Sequence, residues 1–269
     1  MQEDLSHYNA PGTTLRRAQL RELDMLIEFD RICRRHQIAY WLDFGTLLGA
    51  VRHGGFIPWD DDMDVCIFGS DYERLRKALI DELPSRFCLQ DVRTDRHVFV
   101  EYGRLRDRQS YCYYPKFVLQ HEQGLWLDIF MVDRVPSLKL RNMADFFYRR
   151  AYREIHHYGE VTYHSKAKIL LNKLMCYVLY PFASGLVRLV KWLGRRRRSS
   201  VLAGFASHQR AWCIEQELMP LQEISFEGHS FFAPHDTDAY LRRKYGDYMQ
   251  IPPVGKRDII LDTSKIKFF

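Results

Sequence analysis

The sequence has no Cys-x-x-Cys pair, no internal repeat, no low-complexity stretch and no apolar run long enough to cross a bilayer. Its six cysteines, Cys33, Cys66, Cys88, Cys112, Cys176 and Cys213, are scattered, which argues against a zinc site and against a disulfide framework. Met1 to Pro11 is polar and lacks the apolar core of a secretory signal, so the expected location is reducing and cytoplasmic. The net charge is +6, yet no recognition motif accompanies the basic residues, and nucleic acid is not an expected partner. What is present is ordinary globular composition: 269 residues, 46% hydrophobic and 28% charged, enough for a large core.

Thr13 or Thr14 caps a helix expected to run to about His36, with Leu15, Ala18, Leu23, Leu26, Ile27 and Ile32 at helical spacing. A short strand is expected over Ala39–Phe44, then a helical turn or two over Leu47–Val51. Asp62–Phe68 reads as a strand, followed by a helix to about Leu83. Further strands are expected near Phe87–Val92, His97–Leu105 and Leu125–Val132. The stretches 141–158, 166–194 and 200–218 lack strand alternation and read as helices. Ile224–Ala233 reads as a hairpin turning at Glu227-Gly228, and Asp236–Tyr245 as a last helix. The fold class is therefore α+β: a core over 1–140, a helical insertion over 141–218 and a return to the core over 219–269.

The stretch with the most chemistry is Ile57-Pro58-Trp59-Asp60-Asp61-Asp62-Met63-Asp64-Val65. If it is extended, Asp60, Asp62 and Asp64 share one face, and Asp61 and Met63 the other. Like charges a few ångströms apart cost roughly 4 kcal/mol per pair at an effective dielectric of about 20. A divalent cation between them removes that cost, and an oxygen-only ligand set selects Mg²⁺ or Mn²⁺. Apolar Ile57, Trp59, Val65 and Ile67 bracket the cluster, unlike a solvated acidic loop.

Upstream, strand, Gly45-Thr46 and helix start form a phosphate-holding arrangement, because glycine admits the anion and free N–H groups at the helix N-terminus face it. Asp128, a lone carboxylate in an apolar strand, is the candidate third acid, as metal ligand or as proton acceptor, with Asp133 behind it. Arg52, Arg104, Lys256 and Arg257 are candidate phosphate partners, and His53 a further donor; a plain surface role is the alternative for each.

The run from Tyr40 to Asp64, YWLDFGTLLGAVRHGGFIPWDDDMD, resembles the signature of the LicD family, the bacterial phosphorylcholine transferases and their fukutin-related ribitol-phosphate relatives. Leu127-Asp128-Ile129-Phe130 and Tyr245-Gly246-Asp247-Tyr248-Met249, followed by Pro252-Pro253 and Lys256-Arg257, extend the likeness along nearly the whole chain. Two departures stand out. Phe44-Gly45-Thr46 replaces a frequent Gly-Gly-Thr, and Asp258-Ile259-Ile260 stands where many members carry a histidine after the Lys-Arg pair. The resemblance implies a nucleotidyltransferase-type mixed sheet flanked by helices. It also implies transfer of a phospho-alcohol unit, such as phosphocholine, from a CDP-linked donor to a glycan hydroxyl, the glycan being lipopolysaccharide, teichoic acid or similar. Two other readings share the core logic: a true nucleotidyltransferase, and a non-enzymatic module binding cations or polyanions, which requires an exposed aspartate cluster.

Leu174–Val187 is uncharged and too short to span a bilayer, and Arg188, Lys191 and Arg195–Arg198 follow it. With Tyr177, Tyr180, Phe182 and Trp192 it fits an interfacial helix on an anionic leaflet, making the protein peripheral on the inner face of the cell membrane. A buried helix pair with a basic turn is the alternative.

Overall fold

The structure, a computed structural model, describes residues 4–95, 97–98, 101–115, 120–155, 165–206, 212–257 and 261–269. Helix α1 (Thr14–Arg35) starts at Thr13, whose hydroxyl accepts from the Arg16 N–H, and buries one apolar stripe. Strand β1 (Tyr40–Leu42) leads into α2 (Phe44–His53), and β2 (Met63–Phe68) into α3 (Tyr72–Glu82). Then come β3 (Phe87–Gln90), β4 (Gly103–Asp107), β5 (Ser110–Tyr111) and β6 (Trp126–Arg134). The helical segment is α4 (Leu138–Ile155) and α5 (Lys166–Arg196). The chain closes with β7 (Val201–Ala203), β8 (Trp212–Ile214), the one-turn α6 (Glu215–Leu218), β9 (Gln222–Phe226), β10 (His229–Ala233), α7 (Thr237–Tyr245) and β11 (Lys267–Phe268).

The main sheet runs β1-β2-β6-β4-β3, with β2 and β6 parallel and the other pairs antiparallel. It is mixed and flanked by helices, as an α+β chain requires. Its core includes the fully buried Trp41, Phe29, Met25 and Leu127. A second cluster, with Tyr148, Ala183, Val187 and Phe205, sits between α4, α5 and β7. Five cysteines, Cys33, Cys66, Cys88, Cys112 and Cys213, are free thiols.

Two boundaries differ from expectation. Asp62 precedes β2 instead of opening it, because pairing with β6 begins at Met63 opposite Leu127 and clustered aspartates are poor strand formers. The helix expected over 200–218 is not found in the described part of that stretch, and 207–211 lie outside the described residues. Val201–Ala203 extends the end of β6, Trp212–Ile214 pairs with it, and only Glu215–Leu218 is helical. The expected strand over His97–Leu105 lies partly outside the described residues; its described part is the start of β4. Helix α5 bends by 45° between Leu174 and Tyr177, upstream of Pro181, whose ring displaces the carbonyl four residues back.

Candidate active site

The turn from β1 to α2 is built around Asp43. Its carboxylate accepts from the Phe44 N–H at 2.7 Å and holds Lys244 Nζ at 2.5 Å, with both side chains buried. Its backbone N–H donates to the Asp64 carbonyl at 3.1 Å. The Thr46 hydroxyl accepts the Asp64 N–H at 2.7 Å, so the helix start is laced to the start of β2. Gly45 and Thr46 lie in the first turn, where backbone N–H groups have no intrahelical carbonyl to meet. Phe44 adopts φ +42°, a left-handed conformation that favours glycine. Here the phenyl ring is held instead between Phe130, at 4.9 Å between centroids, and Lys244 Nζ, 4.0 Å from its centroid.

The aspartate loop is pinned from both sides. Gln19 Nε2 donates to the Asp60 carbonyl at 2.9 Å. Arg16 pairs with Glu227, which also accepts the Phe56 N–H. One carboxylate oxygen from each of Asp60, Asp61 and Asp62 lies within 4.8 Å of the others. A Cβ on Gly45 would stand 2.6 Å from Asp60 Oδ2, so glycine is what lets that carboxylate lie over the helix start. Asp61 is buried and turned toward the C-terminal segment, where it accepts the Leu261 N–H.

Across the sheet, Asp64 is the direct neighbour of Asp128, and Asp128 of Arg104. Arg104 Nε donates to Asp128 at 2.5 Å and Nη2 to the Tyr102 hydroxyl at 3.0 Å. All three of Asp64, Asp128 and Arg104 are buried, whereas Asp60 and Asp62 are half-buried. A simple exposed polyanion-binding or cation-binding surface is not what these residues build.

Their protonation reflects crowding. Burial, then the Asp61 charge, moves Asp60 from 3.8 up to about 7. Burial pushes Asp62 and Asp64 well above the ordinary range, reinforced by Asp64 and Asp60 on the first and by Asp128 and Asp60 on the second. Such a site either keeps protons or takes a divalent cation. The oxygen-only donor set and the raised carboxyls fit Mg²⁺ or Mn²⁺. The sign for stability follows. The folded chain holds the Asp60 proton up to about 7, whereas the unfolded chain releases it near 3.8. This contribution to stability is complete below that lower value and is lost as pH rises through about 7. With divalent cations chelated, the melting temperature should fall between pH 5 and pH 8, and added Mg²⁺ should reverse the fall; calorimetry at the two pH values measures both.

The other expected partners are distributed unevenly. Arg52 is half-buried and donates to the Tyr248 carbonyl at 3.0 Å and to His53 Nε2 at 2.9 Å; Asp60 is the first charge supporting it. Burial and Arg52 push His53 down to about 4, leaving it neutral. Arg257 lies over the Trp59 ring at 4.6 Å and donates to the Tyr8 hydroxyl at 2.8 Å, beside the aspartate loop. Lys256 is exposed on a short 3-10 turn. Asp258–Ile260 lie outside the described residues. Asp133, five residues along β6 from Asp128, points to the other face and pairs with Lys191 at 2.8 Å. It borders a separate cavity of about 440 Å³ lined also by Tyr72, Glu101, Tyr148 and Tyr180.

Sequence reasoning missed Lys244 and Glu22. Lys244 falls on the buried stripe of α7 with Tyr240 and Leu241. Glu22 interrupts the apolar stripe of α1, and that interruption was the available signal. It is fully buried, and neither carboxylate oxygen has a hydrogen-bond partner among the described residues. Burial, then the charges of Asp61, Asp60 and Asp64, pushes it well above the ordinary range. Glu22→Gln should therefore raise the melting temperature of the metal-free protein at pH 8 by a few degrees. At pH 5, where Glu22 is already neutral, it should leave the melting temperature nearly unchanged. Thermal unfolding of the two proteins at both pH values checks this.

Residues 37–163 match the family model described as "LicD/FKTN/FKRP, nucleotidyltransferase domain". That span contains Gly45, Asp60–Asp64, Arg104 and Asp128, and leaves out Glu22, Lys244 and Arg257. The chain is similar to the lipopolysaccharide cholinephosphotransferase LicD of Haemophilus influenzae, 27% identical over 255 residues, which cover 89% of this chain and 93% of that protein. It is also similar to the human ribitol 5-phosphate transferase FKRP, 52% identical over 44 residues, which are 15% of this chain and 9% of that one.

Proposed function

We propose that this chain, whose residues 37–163 match the LicD-type family model, is a phosphotransferase that moves phosphocholine, or a similar phospho-alcohol, from a CDP-linked donor to a glycan hydroxyl. The observation that carries the reading is the electrostatic crowding of Asp60, Asp62, Asp64 and Asp128, with Asp60 lying over the Gly45 helix start and Asp64 in register with Asp128. Lipopolysaccharide in the name of the Haemophilus relative makes a lipid-borne glycan the acceptor to try first.

In the proposed reaction an acceptor oxygen attacks the phosphorus bearing the alcohol, CMP leaves, and the acceptor proton passes to a carboxylate of the cluster. Asp60, Asp62 and Asp64 would hold the divalent cation, with Asp128 as a further ligand. When bound, it would supply charge neutralisation on the transferring phosphoryl group. Asp128 already accepts from the Arg104 guanidinium, which fixes the orientation of its carboxylate within the cluster. The first-turn N–H groups of Gly45 and Thr46 orient the donor diphosphate. Arg52 and Arg257, on the flank of the aspartate loop, counter the leaving nucleotide's charge.

Incubation with CDP-choline labelled in the choline, and separately with labelled CTP, tests the reading on a glycan acceptor and Mg²⁺. Choline label in the glycan with release of CMP supports it. Nucleotide label in the product would instead make the chain a nucleotidyltransferase, and no transfer from any CDP-alcohol would remove the proposal.

A further inference from the structure

Helix α5 carries two apolar stripes. Ala183, Val187 and Val190 face inward and are buried with Tyr148 and Phe205. On the outside, Leu171, Leu174, Val178, Phe182, Leu189 and Trp192 recur at helical steps along its length. Four of these are more exposed than covered by a wide margin: Leu171 60%, Leu174 64%, Val178 73% and Phe182 71%. The stripe runs roughly 30 Å at 1.5 Å per residue. Helix α4 packs alongside and adds exposed Met143, Phe146 and Phe147. A water-facing surface does not ordinarily carry this much contiguous apolar area.

Charge identifies what covers it. From Lys166 to Arg196 the helix has no aspartate or glutamate. Lys191 and Arg195 answer Asp133 on the protein side, and Arg196, Arg197 and Arg198 continue the basic end, exposed to solvent. A second copy of the chain would bring an equally cationic, acid-free helix against this one. An anionic lipid surface is complementary to these exposed arginines. Trp192, with the Arg196 guanidinium 5.2 Å from its ring centroid, is the amphipathic type of side chain that settles at headgroup level.

We propose that α5 lies in the plane of an anionic membrane, its outer stripe in the acyl boundary and Arg196–Arg198 among the lipid phosphates. It lies in the surface and does not cross it. No single helix among the described residues is long and apolar enough to span; the two arms of α5 reach that length only together and across a 45° bend, and the second arm is buried on its inner side against the protein, which leaves one face for lipid. The inference stands apart from the reaction proposed above, since a transferase of any donor would dock in this way.

Flotation of the full chain with vesicles of phosphatidylglycerol and phosphatidylcholine, and with phosphatidylcholine alone, tests it. The expected result is flotation with the anionic vesicles only, weakened by salt. Leu174→Ser/Val178→Ser/Phe182→Ser and, separately, Arg196→Ser/Arg197→Ser/Arg198→Ser should each weaken it about tenfold or more. These positions are solvent-facing, so both variants should melt with the wild type. As a measurement that needs no multiple variant, anionic vesicles should shift tryptophan emission to the blue in the wild type and much less in Trp192→Phe. The proposal is overturned if the wild type does not float, or if the apolar variant floats equally. It is also overturned if the wild type is a dimer that this variant converts to monomers without any vesicle binding.

Discussion

Asp64→Asn should lower kcat by a factor of about 10³ or more while the protein melts at the same temperature as the wild type or higher. Asp64 is the one cluster aspartate inside β2, flanked by Asp128 in register and fixed at its backbone by the Thr46 hydroxyl and the Asp43 N–H. Asparagine keeps the shape and both backbone bonds. It removes one anion from a place where Asp128, Asp60 and Asp43 already repel it. The charge needed to hold a divalent cation is therefore lost, while the metal-free fold is relieved of repulsion. Asp62→Asn should behave alike, since the charges around it are again aspartates. Two measurements are required together: turnover with Mg²⁺, and the melting shift produced by Mg²⁺. Wild-type turnover in either variant would refute the assignment; an intact Mg²⁺-induced shift with lost turnover would move that residue from cation binding to another step.

Gly45→Ala should cost activity far more than stability. The three atoms nearest the added Cβ all belong to the Asp60 carboxylate, with Oδ2 at 2.6 Å and its carbon at 3.6 Å. That carboxylate is the tip of a flexible side chain, so the protein relieves the clash by turning it away, and the fold loses about 1 kcal/mol or less. A ligand displaced by about 1 Å at a reacting centre costs on the order of a hundredfold in rate. The expected signature is a near-normal melting temperature, a hundredfold fall in kcat and a raised Mg²⁺ requirement. Loss of activity with an unchanged Mg²⁺ requirement would show that Gly45 acts on the donor phosphates and not through Asp60.

The parts of the site that could be read in the sequence are those written in consecutive residues. Asp60 to Asp64 stand out because apolar residues bracket them, and Glu227-Gly228 marks a two-residue turn between two strands. The hidden parts are those whose partners lie far along the chain. Lys244 answers Asp43 across 201 residues and Leu261 answers Asp61 across 200, and no local pattern carries either pairing. Strands β7 and β8 were invisible for a related reason. Each is three residues long, too short to display a period of two; β7 pairs with the end of β6, and β8 pairs with β7. The left-handed Phe44 was legible only as a departure from the more usual glycine; its ring is retained by Phe130 and Lys244, contacts set by tertiary packing.

Synthesis on the ribosome gives the Lys244 and Leu261 contacts a temporal meaning. Every cluster aspartate has been translated by residue 128, yet the cation that answers Asp43 and the amide that caps Asp61 emerge more than a hundred residues later. At ordinary elongation rates that interval is on the order of ten seconds. Throughout it the nascent chain holds a knot of mutually repelling carboxylates without two of its clasps. A product cut short near residue 240 thus carries all the acids without Lys244 or the Leu261 amide, the two groups that answer Asp43 and Asp61.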